Sequence, residues 1–293
     1  MGAGPLDALK VALQYPLPQH ALSRLAGRVV RCRWRWFRRL FIGRFVRLFR
    51  VDMEEAEQPD IGAYSHFDAF FTRALKPGAR PLPRDPGQLA SPVDATVSQV
   101  GAIDGDRLLQ AKGRQFTTEE LLGGDAALAA PFHGGQFTTL YLSPRDYHRI
   151  HAPLAGRLST SLYVPGRLFS VNPATTARVP RLFVRNERLV SLFDTAVGPV
   201  AVVMVGALLV AGIETVWGGW VTPPRGRRLR RQDHAGPDFA QGDELGRFHM
   251  GSTVILLLPP GAGTHWQPGL VPGTPVRMGQ PLATVAGGGA FAR

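Results

Sequence analysis

Arg247-Phe248-His249-Met250-Gly251-Ser252-Thr253-Val254-Ile255-Leu256-Leu257-Leu258 sets a Gly-Ser-Thr step directly before five consecutive apolar residues. The five read as a buried β run. Glycine permits an unusual backbone turn ahead of it, and the two hydroxyls can bond to nearby backbone groups. Outward from this stretch, short β runs separated by Gly and Pro fall at 96–100, 107–111, 137–142, 156–164, 181–186, 189–194, 200–206 and 211–216. The apolar stretch 200–213 is shorter than the roughly 20 residues of a spanning helix and contains glycines, so it reads as a pair of buried strands. The pattern predicts an α+β fold that is mainly β: a compact β-sheet or barrel-like domain whose loops bear the chemistry, preceded by an N-terminal amphipathic helical region.

The chain has 293 residues, enough to bury a substantial core in one large domain or a domain with a helical appendage. Formal net charge is +12, and nearly all of the positive residues are Arg, since Lys10, Lys76 and Lys112 are the only lysines. That balance favours an anionic partner, either nucleic acid or an acidic membrane surface. Cys32 is the only cysteine, which excludes an intramolecular disulfide and a metal site of the CxxC kind and suits a reducing compartment. No metal site is expected. The N-terminus lacks a basic start followed by an apolar core and a small-residue cleavage site. A peripheral protein on the cytoplasmic side of the cell membrane is the expectation.

From Arg24 to Arg50 arginines alternate with Trp, Phe, Val and Leu, and no acidic residue occurs between Asp7 and Asp52. On a helix Val30, Trp34, Phe37 and Phe41 fall on one side, while Arg28, Arg31, Arg35, Arg38 and Arg39 cluster on the other. Gly43 then marks a break or bend. Such a helix can lie at a bilayer interface, with its rings buried and its arginines against anionic headgroups. The alternatives are a helix packed on the protein's own core with a solvated Arg face, and nucleic-acid binding, which no recognised motif accompanies.

Residues 52–65 are acidic and polar, 67–72 can form a short helix, and Pro77, Pro81, Pro83 and Pro86 impose an extended connection. The expected division is a helical, basic and aromatic membrane-associating region at 1–65 and a catalytic domain at 66–293. Residues 223–236, with Arg225, Arg227, Arg228, Arg230 and Arg231, read as an exposed mobile loop, and Gly287-Gly288-Gly289 as a flexible end.

Asp94, His151 and Ser252 supply the three residue types that activate a hydroxyl: the imidazole takes the proton, and the carboxylate holds its tautomer and stabilises its positive form. Residue types alone are weak evidence in a chain with eight histidines. Their company is more informative. Phe67-Asp68-Ala69-Phe70-Phe71-Thr72-Arg73 with Lys76-Pro77-Gly78-Ala79-Arg80-Pro81 is followed by Ser91-Pro92-Val93-Asp94-Ala95-Thr96 and Tyr147-His148-Arg149-Ile150-His151-Ala152-Pro153. Tyr163-Val164-Pro165-Gly166 with Leu168-Phe169-Ser170-Val171-Asn172 and then Gly251-Ser252-Thr253 complete the order. Together these blocks resemble the phosphatidylserine decarboxylase family, of the pyruvoyl-dependent bacterial type, from about residue 67 to the C-terminal region. Met250 stands where many bacterial members have Leu or Phe.

The resemblance implies a proenzyme. The Ser252 oxygen attacks the carbonyl of Gly251, the peptide becomes an ester, and elimination cuts the chain between 251 and 252 into a large and a small piece. Residue 252 then loses ammonia and becomes a covalent pyruvoyl cofactor. Its ketone forms a Schiff base with phosphatidylserine, which is decarboxylated to phosphatidylethanolamine and carbon dioxide. Asp94 and His151 are implied in scission, and His148 in proton transfer or carboxylate handling during turnover. Glycine at 251 is expected because a close, strained approach leaves no room for a Cβ. The resemblance also implies a homodimer; the basic charge adds an anionic membrane surface as the expected partner, with no nucleic acid.

Two other readings use parts of the same sequence. A Ser-His-Asp hydrolase acting on lipid would use the same three side chains, but Gly251-Ser252-Thr253 lacks the Gly-x-Ser-x-Gly turn. A non-catalytic membrane-binding module explains the N-terminal segment and leaves the ordered blocks unexplained.

Overall fold

The computed structural model describes residues 5–286 except 210, 211, 223–225 and 227. Four helices lead: α1 (Pro5–Leu13), α2 (Gln19–Val30), α3 (Arg35–Phe49) and α4 (Phe67–Phe71). The strands that position the site are β1 (Ala95–Ala102), β2 (Gln136–Leu142), β3 (Arg149–His151), β4 (Gly156–Val164), β5 (Arg188–Thr195), β6 (Gly198–Val205), β7 (Ile213–Thr215), β8 (Glu244–Phe248) and β9 (Ser252–Leu258).

The largest sheet has nine strands, ordered Arg230–Asp233, β4, β5, β6, β9, β2, β1 and Pro275–Val276, with Asp238–Phe239 beside β4. Within it β9 is paired on both edges: Thr253 faces Tyr141 of β2 and Val205 of β6. Both faces of β9 are covered as well. Val254, Leu256 and Leu258 join one core with Ile150, Ile213 and Phe248, whereas Ile255 and Leu257 join another with Phe137, Phe183 and Val203. Burial on both sides is why this strand is apolar throughout rather than alternating. A second sheet, ordered Gly219–Trp220, β7, β8 and β3, packs on the first of these cores. The sheets are open and do not close into a barrel, so the β-rich expectation holds without the barrel.

Three local expectations change. The segment 181–186 is not a strand but a single helical turn at Leu182–Arg185, entered through Arg181 at φ 56°. Its first amide donates to Gln110 Oε1 at 2.7 Å, so a tertiary contact outweighs the β-like composition. Part of the expected loop at 223–236 is the edge strand Arg230–Asp233, paired with Tyr163 to Thr160 of β4. Pro223, Pro224, Arg225 and Arg227 lie outside the described residues, as do Ala211 and Gly287–Gly289. In the helical region the break falls between α2 and α3, not at Gly43, through which α3 runs continuously.

The helical region has its own aromatic core. Val30, Ile42, Val51, Tyr64, Phe67, Phe70 and Phe71 are buried together, with Phe41, Phe45 and Met250 packed against them. Met250 therefore brings the residue before Gly251 into the same cluster as α2, α3 and α4. No helix among the described residues is long and apolar enough to cross a membrane.

Candidate active site

Ser252 is the first residue of β9, opposite Leu142 of β2. It is fully buried, and its Oγ has no hydrogen-bond partner. Thr253 Oγ1, Ser143 Oγ and His148 Nε2 are likewise buried and unpartnered. Orphaned polar atoms are rare in folded interiors. Thr253 follows Ser252 and Ser143 follows its partner Leu142, so three of these orphaned atoms gather at one end of the β2–β9 pair.

Backbone strain lies one residue earlier than expected. Met250 has φ 93°, a region that L residues seldom occupy. Gly251 is not at positive φ, and a Cβ added there would meet nothing within 4 Å. Crowding at 251 is thus absent in this structure, and the strained turn belongs to Met250.

The peptide ahead of it is anchored firmly. His249 Nδ1 lies 2.9 Å from Asp68 Oδ1, and its Nε2 lies 3.0 Å from Glu214 Oε2. The imidazole stacks on Trp220 with centroids 4.0 Å apart, and the Arg31 guanidinium lies 4.5 Å from the centroid of the same indole. Arg31 also pairs with Asp68 at 3.2 Å. Burial pushes the Asp68 carboxyl up, but hydrogen bonds and charge from His249 and Arg31 outweigh it and hold the group below its ordinary range.

His148 is completely buried against Phe71, with ring centroids 4.0 Å apart. Burial drives its pKa down to about 3, so the ring is neutral at neutral pH. Its Nδ1 is 2.7 Å from the Asp146 carbonyl. A carbonyl only accepts, so Nδ1 carries the proton and the unpartnered Nε2 keeps its lone pair.

His151 is also held neutral, since burial pushes its pKa below the ordinary imidazole value. Its Nδ1 donates to the Gly242 carbonyl at 2.7 Å, leaving Nε2 to accept from the Tyr147 hydroxyl at 3.0 Å. Burial raises the Tyr147 pKa to about 12, which keeps that hydroxyl a donor. Asp94 does not hold this imidazole. Its carboxylate takes Arg80 Nε at 2.9 Å, Arg80 Nη2 at 2.6 Å and the Met278 amide at 2.8 Å. The sequence leads one to expect an Asp94–His151–Ser252 relay, but among the described residues no hydrogen bond joins any two of the three. The tautomer-fixing place is filled by Gly242 instead.

Asp94 and Tyr147 both line a cleft of about 290 Å³, whose wall also includes Arg50, Arg73, Arg80 and Arg277. Tyr147 and Arg80 were visible in the sequence only as neighbours of site residues. His249 and Glu214 carried no signal, because the contacts that define them join residues 181 and 35 positions apart.

The N-terminal residues divide into two groups. Trp34, Trp36, Leu40 and Leu48 are exposed, Trp34 at 68%. Arg28, Arg35 and Arg39 are exposed beside them. Phe37 stacks on Phe41, which turns inward onto Phe67 with centroids 4.6 Å apart. Arg38 donates to the Tyr64 and Gly62 carbonyls, and Arg31 is committed to Asp68.

A family model described as phosphatidylserine decarboxylase matches residues 67–284, and a second model, described as PSD, matches residues 9–50. A phosphatidylserine decarboxylase proenzyme of Pseudomonas putida is 56% identical over 95% of this chain and 98% of its own length. Proteins of the same name from Pseudomonas entomophila and Pseudomonas fluorescens are 56% and 55% identical, over 95% and 94% of this chain and 98% and 97% of their own lengths. The similarity thus takes in the helical region as well as the motifs from residue 67 onward. With most of its length matched by one family model and more than half of its residues identical to these relatives across nearly the whole chain, the chain belongs to the phosphatidylserine decarboxylase family.

Proposed function

We propose that this chain decarboxylates phosphatidylserine to phosphatidylethanolamine after cutting itself between Gly251 and Ser252. The observation that carries the reading is the buried, unpartnered Ser252 hydroxyl at the head of β9, two residues after the strained Met250. In scission the Ser252 oxygen adds to the Gly251 carbonyl carbon and the amide nitrogen leaves, giving an ester. Loss of the α-proton of residue 252 breaks the Cβ–Oγ bond and frees Gly251 as a carboxylate. Water then replaces the nitrogen of residue 252, and ammonia departs.

A pyruvoyl group at 252 fits the residues present, because the hydroxyl it replaces makes no hydrogen bond that the fold would lose. When present, it supplies an electrophilic ketone and an electron sink for loss of carbon dioxide from an amine-bearing substrate. The protein's own share is proton handling. His148, neutral and with a free Nε2, is set up as a base that can later return its proton. His151 can accept the Ser252 proton once its Nε2 leaves the Tyr147 hydroxyl, and the fixed Asp94 charge nearby favours the imidazolium that forms.

Membrane attachment is the second part of the proposal. Trp34, Trp36, Leu40 and Leu48 offer apolar surface, and Arg28, Arg35 and Arg39 offer charge for anionic headgroups. Phe41 and Arg38 support the segment from within.

Mass determination of the purified chain under denaturing conditions tests the central claim. Two fragments are expected, the smaller beginning at residue 252 without its amine, and Ser252→Ala should remain a single inactive chain. Full activity from an uncut chain would overturn it.

A further inference from the structure

Arg73 follows α4 on the wall of the cleft that holds Asp94 and Tyr147. It is only 5% exposed, and its Nε is buried without a partner. Its Nη2 donates one long bond, 3.4 Å, to the Arg145 carbonyl, and its guanidinium lies 5.3 Å from the centroid of the Phe70 ring. Among the described residues no carboxylate lies within ion-pair distance of it.

Four carboxylates line the same cleft, and each has other partners: Asp52, which is exposed, accepts from the Glu54 amide at 2.9 Å. Asp94 is taken by Arg80 and the Met278 amide, and Glu55 by Arg80 and Arg277. Asp146 accepts from the Ser143 amide and lies 3.8 Å from Arg145. A second guanidinium, Arg50, is exposed on the same cleft and has no ion pair among the described residues. Arg50 caps α3 in the left-handed region at φ 54°, a conformation that costs a non-glycine residue something to hold.

A buried guanidinium without a counter-charge is costly, and proteins seldom keep one unless an anion arrives to pair with it. We propose that this cleft is a phosphate-ester site, with Arg73 as its buried anchor and Arg50 at its mouth. Resting on the decarboxylase reading, the phosphate is the phosphodiester of the lipid headgroup. The substrate's carboxylate is the wrong occupant. A guanidinium would stabilise the anion that must become neutral carbon dioxide, and so would favour the ground state over the transition state. Two separate guanidinium forks also suit the several oxygens of a phosphate.

The test uses the full chain and soluble probes without acyl chains, so that membrane attachment plays no part. Calorimetric titration of the uncut Ser252→Ala chain with glycerophosphoserine and with inorganic phosphate reads binding independently of turnover. Arg73→Gln and Arg50→Gln should each weaken glycerophosphoserine binding at least tenfold, and Arg73→Lys should recover part of the loss. In the mature enzyme the same changes should raise KM for glycerophosphoserine about tenfold while kcat stays within about threefold. If Arg73→Gln fails to fold, the exposed Arg50→Gln carries the test alone. Unchanged binding in folded variants would overturn the site. Inorganic phosphate binding as tightly as glycerophosphoserine, without competing with turnover, would overturn the headgroup assignment. A wild-type chain that binds glycerophosphoserine but releases no carbon dioxide would count against the decarboxylase reading and leave the anion site standing.

Discussion

Asp68 of α4 grips the imidazole of His249, with Oδ1 2.9 Å and Oδ2 3.0 Å from Nδ1, across 181 positions of sequence. The contact ties the helical region to the residue three places ahead of Ser252, while Glu214 of β7 holds the other ring nitrogen. The peptide that contains Met250 and Gly251 is therefore positioned from both layers of the protein.

His249→Ala should slow scission by roughly tenfold or more, since misplacing a reacting group by about 1 Å can cost on the order of a hundredfold. The product masses should stay the same. Arg31→Ala, which loosens Asp68, should slow it less, whereas changing Arg28, Arg35 and Arg39 together should leave it untouched. Time courses of fragment appearance after a pulse of synthesis measure this, and equal rates in all variants would refute the positioning role.

Gly251→Ala is expected to fold normally in the Ser252→Ala background, because the added Cβ meets open space and the backbone φ is not positive. Its urea midpoint should lie within experimental error of the parent. A large loss would mean that residue 251 is crowded after all.

The buried neutral His148 should make the protein acid-labile. Its folded pKa, about 3, lies below the ordinary 6.5, so above pH 6.5 both folded and unfolded chains are neutral at this site. As pH falls from 6.5 toward 3 the unfolded chain takes up a proton that the folded chain refuses, and stability drops by roughly 1.4 kcal/mol per pH unit. Urea unfolding of Ser252→Ala at pH 7, 6, 5 and 4 should show this slope, and His148→Gln in the same background should flatten it. Identical slopes would show that another group governs the acid limit.

Making the cofactor and using it are different chemical tasks, so the two histidines should separate. His151→Ala and Asp94→Asn should impair fragment formation, whereas His148→Ala should still be cut but turn over roughly a hundredfold more slowly, the usual scale of lost general acid–base help. Normal scission in the His151 and Asp94 variants, read by mass, would remove both from that step.

The two faces of α3 should behave differently. Trp34→Ser with Trp36→Ser should weaken flotation with anionic vesicles and leave unfolding unchanged. Phe41→Ser should lower stability by about 2 kcal/mol, because the half-buried ring packs on Phe67. Vesicle binding that is indifferent to the exposed tryptophans and to salt would refute attachment through this face.

What could be read in the sequence follows from how local each signal is. Val254 to Leu258 was legible because burial on both faces makes a strand uniformly apolar. The paired strands β5 and β6 were legible for the same reason. Arg230–Asp233 was not, since an exposed edge strand pairs through its backbone and its side chains need no apolar pattern. The turn at Leu182–Arg185 was misread because its helical start depends on Gln110, far away in sequence. Ser252, His148, His151 and Asp94 stood out through their motifs. The partners that fix them, Gly242 for His151 and Arg80 for Asp94, emerge only when the chain is folded.

β9 is paired on both edges, and the residues after it add Pro275–Val276 beside β1 and Pro281–Thr284 beside Gln88–Ala90. A fragment that begins at Ser252 is consequently woven into the middle of its larger companion and leaves only if both unfold. An exchangeable cofactor can be replaced when it is damaged, whereas the group proposed at residue 252 could not be. On that proposal each molecule would have a single issue of its reactive group, repair would mean synthesis of a new protein, and the supply of active enzyme would follow translation rather than vitamin availability.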